Sequence, residues 1–383
     1  MSKRPAVLAV VAIAAALLAS ASFADLKAFN EAVRAGDFKT AASEAELTWK
    51  TWDTSDEQTA LLAREFGFAA LVSGRYDLAR QFGEFLVQKG ATLPTPDDLP
   101  AVSAVFFRVA DLKLKDGGAE RQALREALNA RNAASGLDMT SVLSWEALYI
   151  ADWNAGDLEN AEADSSEAAE FFKRQSTLVH RQREAEIVKA AASFLRGRSR
   201  ITKGRNDFHD AIADVHDAIV SDINAATLPN ARDALFEAKW KAEAWALAIA
   251  SYLDSSYTQI GSSISTAREP RRLLQPQFAQ HPEDPAVAQQ PLCEGKFDGR
   301  KLVYPSNKQY QGLVGSVIAR METDASGKVI HTEVLAAVPL KSFSDQVVRT
   351  MNTWSYKPAK GVDTSSCRLN SHNHTFRVIF RIG

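Results

Sequence analysis

The sequence predicts an α+β protein with more than one domain, in which an all-α helical-repeat domain precedes a small β-β-α-β domain. Three observations lead to this prediction. Apolar residues recur at helical spacing before residue 267, five prolines crowd into 268–291, and alternating strand-type runs follow residue 301. We therefore divide the chain into a signal peptide (1–24), a helical domain (25–267), a proline-rich linker (268–300) and a C-terminal domain (301–383).

The amino-terminal segment has the three parts of an export signal. Lys3 and Arg4 precede the apolar run Ala6–Ala19, and small residues lead to a cleavage site after Ala24. The run is shorter than the roughly 20 residues of a spanning helix, so the sequence predicts cleavage and a periplasmic protein. The alternative is an uncleaved anchor on the periplasmic side of the inner membrane. Export and a net charge of −2 over 383 residues argue against nucleic-acid binding.

A recurring phrase organises the helical domain. A glycine ends one helix, an aromatic residue or leucine covers the turn, and an alanine then lets the next helix approach closely. The phrase begins at Gly36, Gly74, Gly118 and Gly156, with Ala41, Ala79, Ala123 and Ala161 as the alanines. It resembles a tetratricopeptide-type repeat, best at Gly67, Gly74, Tyr76 and Ala79. The alternative is a helical domain without repeats.

The C-terminal domain begins with two strand patterns. The apolar runs 313–322 and 329–338 are joined by Asp324 and Gly327 in a short hairpin turn. Phe343, Val347, Met351 and Trp354 then recur at helical spacing, and Pro358 blocks continuation of that helix. A last run, 375–382, alternates apolar and basic residues, which predicts a strand with one buried face. The predicted order is strand, strand, helix, strand.

This domain resembles the TonB C-terminal domain family. The residues that carry the resemblance are Tyr304, Pro305, Gly312, Gly315, Asp324, Gly327, Trp354, Tyr356 and Pro358. Members of that family pair with a short extended peptide of outer-membrane receptors, so the resemblance implies a similar role here. Placing the last strand beside the first leaves it at an edge of the sheet. The predicted peptide-binding edge is therefore Thr375, Phe376, Arg377, Val378, Ile379, Phe380 and Arg381; alternatively, its arginines are charges that discourage pairing.

The two cysteines, Cys293 and Cys367, flank most of this domain, and in an oxidising periplasm we expect them to form a disulfide. The alternative is a pair of buried thiols. His372 and His374 would share one face of an extended strand, but a full ligand set for a metal is missing. The sequence predicts no metal and no cofactor.

The sequence carries no nucleophile elbow, phosphate loop or zinc-protease helix, so it predicts a protein that is not an enzyme. The leading hypothesis is a periplasmic adaptor for envelope proteins, whose C-terminal domain pairs with a peptide, such as that of an outer-membrane transporter, while its helices bind a second protein. One alternative is a TonB-type energy transducer anchored in the inner membrane, although the linker is short for that role. The other is an envelope enzyme.

Overall fold

The computed structural model describes residues 26–52, 59–89, 99–135, 141–197, 207–259, 290–304, 314–339 and 341–380. The predicted signal peptide, most of the predicted linker, Pro305, Gly312 and Arg381 lie outside these ranges. Within them, no helix combines the length and apolar character that crossing a membrane requires. The helices and strands confirm the predicted α+β class. Two compact units form, Met1–Arg196 and Gly197–Gly383, and each is described by itself.

The first unit consists of consecutive helices. They are α1 (Lys27–Arg34), α2 (Phe38–Thr51), α3 (Thr59–Ser73), α4 (Tyr76–Lys89), α5 (Leu99–Lys115), α6 (Gly118–Ser135), α7 (Val142–Ala155), α8 (Leu158–Lys173), a 3-10 turn (Ser176–Leu178) and α9 (Val179–Gly197). Helices next to each other in sequence pack together from α1 through α8. This arrangement is consistent with a helical repeat region; the tetratricopeptide type stays a prediction.

The recurring phrase marks the turns between helices. Gly36, Gly74 and Gly156 have φ angles of 71°, 80° and 75°, the left-handed conformation that ends a helix at low cost for glycine. Asp37 and Asp157 then cap the next helices, each accepting a hydrogen bond from the backbone N–H three residues on. At these turns a glycine ends one helix, as predicted, and at two of them an aspartate caps the next helix.

One instance of the phrase behaves differently. Gly118 is the first residue of α6 and does not end a helix, because Asp116, with φ of 45°, takes the left-handed position after α5. Ala123 is correspondingly half-buried, whereas Ala41 and Ala161 are fully buried. The prediction for the turn at Gly118 is thus corrected by two residues.

A buried ion-pair network joins α6, α7 and α8. Nη2 of Arg125 lies 2.9 Å from Oδ2 of Asp152 and 2.7 Å from Oδ2 of Asp164, and Nε of Arg121 lies 3.0 Å from Oδ1 of Asp152. Burial and the neighbouring Asp164 carboxylate raise the pKa of Asp152 to about 7. Two carboxylates sharing one guanidinium hold the three helices in register.

The second unit combines two helices with two small sheets and a third helix. Its elements are α10 (Asp207–Ala225), α11 (Pro229–Gln259), β1 (Gly295–Asp298), β2 (Gly315–Thr323), β3 (Val329–Val338), α12 (Lys341–Met351), β4 (Ser355–Pro358) and β5 (Ser371–Phe380). The main sheet is antiparallel with the order β3-β2-β5, and β1 pairs with β4 in a separate ribbon.

The compact units do not divide where the predicted domains do. We predicted an all-α domain to residue 267, but α10 and α11 belong to the same compact unit as the sheet. The reason lies in α11, which packs against β2, β3 and β5 as well as against α10. Whether the predicted segments fold independently stays a prediction.

The two faces of the main sheet are covered by different helices. Val317, Ala319 and Met321 of β2 point toward α12 and form one core with its buried residues Phe343 and Val347. Because strand side chains alternate, Ser316 and Ile318 point to the opposite face, and both are fully buried although neither belongs to that core. Helix α11 lies against β2, and its alanines at helical spacing let it approach closely.

Candidate functional site

The hairpin between β2 and β3 is built around Asp324. Its Oδ1 accepts hydrogen bonds from the backbone N–H groups of Ser326 (2.9 Å) and Lys328 (3.0 Å), and hydrogen bonding to Ser326 is the main cause of the lowered pKa of this carboxyl. Gly327 has a φ of 79°, and a Cβ there would lie 2.2 Å from the carbonyl oxygen of Tyr356. The position therefore requires glycine both for its backbone angle and for space.

The segment after α12 is tied to β1 and to the residues on either side of it. Nε1 of Trp354 donates to the carbonyl oxygen of Arg300 (2.7 Å), and Oη of Tyr356 donates to that of Cys293 (2.6 Å). Pro358 is opposite Gly295 in the β1–β4 pairing. These side chains act as structural supports, and their contacts explain why aromatic residues stand at these positions.

Cys293 and Cys367 form a disulfide with a Cα–Cα distance of 4.9 Å, which confirms the predicted pairing. The backbone N–H of Cys293 donates to the carbonyl oxygen of Arg368 (2.9 Å), so the two chain segments also pair beside the crosslink. The crosslink closes a sequence separation of 74 residues just before β5.

Tyr304 and Gly315 support the other end of β5. The ring of Tyr304 lies 5.9 Å from that of Phe343 and 5.6 Å from that of Phe380. A Cβ on Gly315 would meet the Phe343 ring at 2.8 Å, so glycine lets α12 approach β2. Burial raises the pKa of the Tyr304 hydroxyl.

The last strand begins four residues earlier than predicted. It runs from Ser371 to Phe380, whereas the prediction was 375–382. Phe376, Val378 and Phe380 pack into the α12 core, as the alternation predicted. Thr375 and Ile379 are half-buried, and Arg377 is exposed.

Strand β5 buries its α12 face more fully than the other, as expected, but the sheet as a whole has a second covered face. The face opposite α12 is covered by α11, and Arg377 on that face reaches back to it: Nε of Arg377 donates to Oε1 of Glu243 at 2.5 Å. Glu243 is 1% exposed. The basic side chain at the centre of the predicted edge is therefore held by a buried carboxylate.

Other ionisable groups surround Glu243. Nζ of Lys239, one turn earlier on α11, lies 3.8 Å from Oε2 of Glu243, and burial lowers the pKa of this lysine. His216 of α10 is fully buried, and its pKa is also lowered, first by burial and then by the charge of Lys239. Helix α11 thus carries a buried polar cluster that interacts with His216 of α10 and with Arg377 of β5.

Both outer strands of the main sheet are edges, but they differ in regularity. From His374 to Phe380, β5 pairs with β2 residue by residue. Strand β3 is interrupted at Ile330 and Leu335, which have no partner in the register and form bulges. Within the described residues no further strand pairs with β3 or β5.

The two histidines do not share a face, contrary to the expectation for an extended strand. The register of β5 is irregular between Ser371 and His374, which turns them apart. Nδ1 of His372 lies 3.5 Å from Oε2 of Glu322, whereas His374 is buried between the rings of Phe297 and Tyr356. Burial, together with the charge of Arg368, lowers the pKa of His374 to about 4. Among the described residues, no group of His, Cys, Asp and Glu is arranged to hold a metal ion.

Sequence reasoning missed Glu243 and the role of α11. A signal was present: Lys239 and Glu243 stand four residues apart inside the otherwise mostly apolar stretch 235–253. Charged residues inside a fully buried helix are rarely tolerated unless they are paired. The two residues pair with each other at 3.8 Å, and β5 supplies Arg377 as a second cation for the carboxylate.

Comparison with known families gives one match. Residues 300–374 match the family described as Gram-negative bacterial TonB protein C-terminal, which confirms the resemblance for this part of the chain. No curated protein matches the chain, and no solved structure does. The matched segment corresponds to a protein-interaction domain of envelope-associated proteins. It stops at His374, the first residue of the regular part of β5, and does not include α11.

Proposed function

We propose that this protein is a non-enzymatic periplasmic adaptor, whose β5 edge pairs with an extended peptide of an envelope partner. The observation that carries the proposal is the regular stretch from His374 to Phe380, which begins where the TonB-family match ends. Its outer side meets no further strand within the described residues. An open strand edge offers backbone N–H and C=O groups in the spacing that an added strand needs. Outer-membrane transporters are the partner class that the family suggests.

The state of Arg377 supports the choice of β5. A basic residue on an edge strand ordinarily discourages strand addition. Here the guanidinium is paired with the buried carboxylate of Glu243, so its charge is already compensated on the α11 side. The bulges of β3, by contrast, bend that edge and break the continuous ladder.

The helical first unit would supply the second binding surface of the adaptor. Its helices leave large apolar side chains exposed, among them Leu47 (59% exposed) and Val87 (51%). Extended helical-repeat surfaces bind other proteins. The partner of this unit is a second envelope protein in our proposal.

A direct binding measurement tests the proposal. The chain beginning at Asp25 is titrated into fluorescently labelled ten-residue peptides from the periplasmic ends of outer-membrane transporters. We expect micromolar anisotropy transitions that Ile379→Pro abolishes. Absence of binding to every such peptide, with the protein folded, would overturn the proposed function.

The alternative is a TonB-type energy transducer that stays in the inner membrane. The apolar run Ala6–Ala19 and the family match favour it. The two functions differ in the mature amino terminus. Membrane fractionation with terminal sequencing separates them, because the adaptor begins near residue 25 in the soluble periplasmic fraction, whereas the transducer keeps residue 1 in the membrane.

A further inference from the structure

Glu243 is a buried carboxylate that contacts the candidate edge from outside the family-matched segment. It lies on α11 and is 1% exposed, and the match begins only at residue 300. Removing a carboxylate from water is costly unless cations and hydrogen-bond donors replace the water. Arg377 at 2.5 Å and Lys239 at 3.8 Å are the cations beside it.

Arg377 occupies the middle of the regular part of β5. It is opposite Ile318 in the register, with three paired residues on either side between His374 and Phe380. A strand added to the outer edge of β5 would place one side chain directly beside Arg377, on the same face of the sheet. Charges directly across a strand pair attract or repel, so this position would select the partner by charge.

The geometry of the pair determines how Arg377 presents its charge. Its side chain is 35% exposed, whereas that of Glu243 is 2% exposed, so the ion pair reaches from the interior to the rim of the sheet. The carboxylate holds the guanidinium against α11 and compensates its charge. A peptide strand that pairs with β5 would therefore lie beside an arginine whose positive charge is already balanced by Glu243.

We propose that Glu243 is a positioning residue of the peptide site, and that through Arg377 it makes the β5 edge fit an extended peptide whose side chain beside Arg377 is uncharged. This inference rests on the proposed function, because it names the partner chemistry of the same edge. Helix α11 thereby becomes part of the peptide site, although it ends at Gln259 and the matched segment begins only at residue 300.

The experiment measures which charge the protein prefers in the peptide side chain beside Arg377. Ten-residue alternating Thr–Val peptides carry a single guest residue, Asp, Ser or Lys, placed at each position in turn. Binding to the chain that begins at Asp25 is measured by anisotropy. At the position beside Arg377, we expect the wild type to bind the Ser guest best.

Removing either charge should shift the preference in opposite directions. Glu243→Gln removes the negative charge that compensates Arg377, so Asp should bind roughly tenfold more tightly than Lys at that position. Arg377→Gln removes the cation at the rim and leaves Glu243 paired with Lys239, so the preference should shift toward Lys relative to the wild type. The double variant should return to the wild-type order, which a loss of folding stability alone would not produce.

Glu237, an exposed residue of the same helix, supplies the matched control, because Glu237→Gln should leave the order unchanged. If Glu243→Gln does not fold, Arg377→Gln alone tests the inference, because it must shift the guest preference toward Lys relative to the wild type. An unchanged guest order in the variants overturns this inference and leaves the edge site intact. Failure of the wild type to bind any guest peptide overturns the proposed function as well.

Discussion

The two edges of the main sheet, β3 and β5, have the same neighbour and opposite characters. Both pair antiparallel with β2, yet β3 is bulged at Ile330 and Leu335, whereas β5 is regular from His374 to Phe380. Strand β5 is also supported by a disulfide just before it and by the ion pair of Arg377 with Glu243. The comparison teaches that an edge position alone does not make a strand able to accept another strand. The strand also needs a regular register and contacts that hold it in place, such as the disulfide and the ion pair of β5.

Proline should separate the two edges most strongly. Ile379→Pro removes a backbone donor from the regular stretch of β5 and disturbs its ladder, so we expect at least a tenfold loss of peptide affinity, on the order of 1.4 kcal/mol or more. Leu335→Pro, at a bulge of β3, should leave affinity within about twofold. Anisotropy titrations measure both, and thermal melts establish that both variants fold. Equal losses in both variants would contradict the assignment of the site to β5.

Removal of the disulfide should destabilise the β5 side of the unit. Replacing Cys293 and Cys367 with serine frees a loop with a sequence separation of 74 residues, and the chain-entropy model gives a loss of roughly 4 kcal/mol. Urea unfolding monitored by tryptophan fluorescence under oxidising conditions measures it. Reduction of the wild type should produce the same loss, and reduction of the double variant should produce none. A wild type insensitive to reductant would refute this account.

Acid should weaken the β5 side through His374. A histidine whose pKa is lowered on folding binds fewer protons in the folded state than in the unfolded chain. Its contribution to the free energy of unfolding is therefore complete above pH 6.5. It is lost as the pH falls toward 4, and the loss amounts to at most about 3 kcal/mol. His374→Phe should flatten the dependence of the unfolding free energy on pH between 6.5 and 4. A His374→Phe variant that keeps the wild-type slope would contradict this account.

The smallest effect is expected on the β3 side. Arg320 and Glu333 form an ion pair across β2 and β3, and the Glu333 side chain is 44% exposed. Solvent screens such a pair, so Glu333→Gln should cost less than about 1 kcal/mol. Chemical unfolding measures the loss, and addition of 0.5 M salt should reduce the difference from wild type. A loss as large as that caused by removing the disulfide would mean that the β3 edge is as strongly supported as β5.

Local signals predicted the three strands of the main sheet and α12, but they did not predict β1 or β4. Asp324 and Gly327 specify the hairpin by their own hydrogen bonds and backbone angle, and Phe343 and Val347 specify the buried face of α12 by their spacing. The disulfide followed from a count of two cysteines and the inferred compartment. Each of these features depends on residues close in sequence or on a simple pairing rule.

Features that depend on distant residues were not predictable in this way. The start of β5 at Ser371 depends on an irregular register with β2, which separates His372 from His374. The second covered face depends on α11, whose contact with β5 joins residues 134 positions apart in sequence. The spacing of apolar residues in a helix indicates how much of the helix is buried. It does not indicate which element of the fold covers the buried face.

Helix α11 also bears on how this protein could be divided or recombined. A fragment starting at Gln290 would retain the disulfide, α12 and both sheets, but it would uncover Ser316 and Ile318 and separate Arg377 from its carboxylate. We therefore expect the family-matched segment to be a poor graft in a chimera unless residues 207–259 travel with it. A gene fusion at the proline-rich segment would omit α11 and so leave one face of the main sheet uncovered.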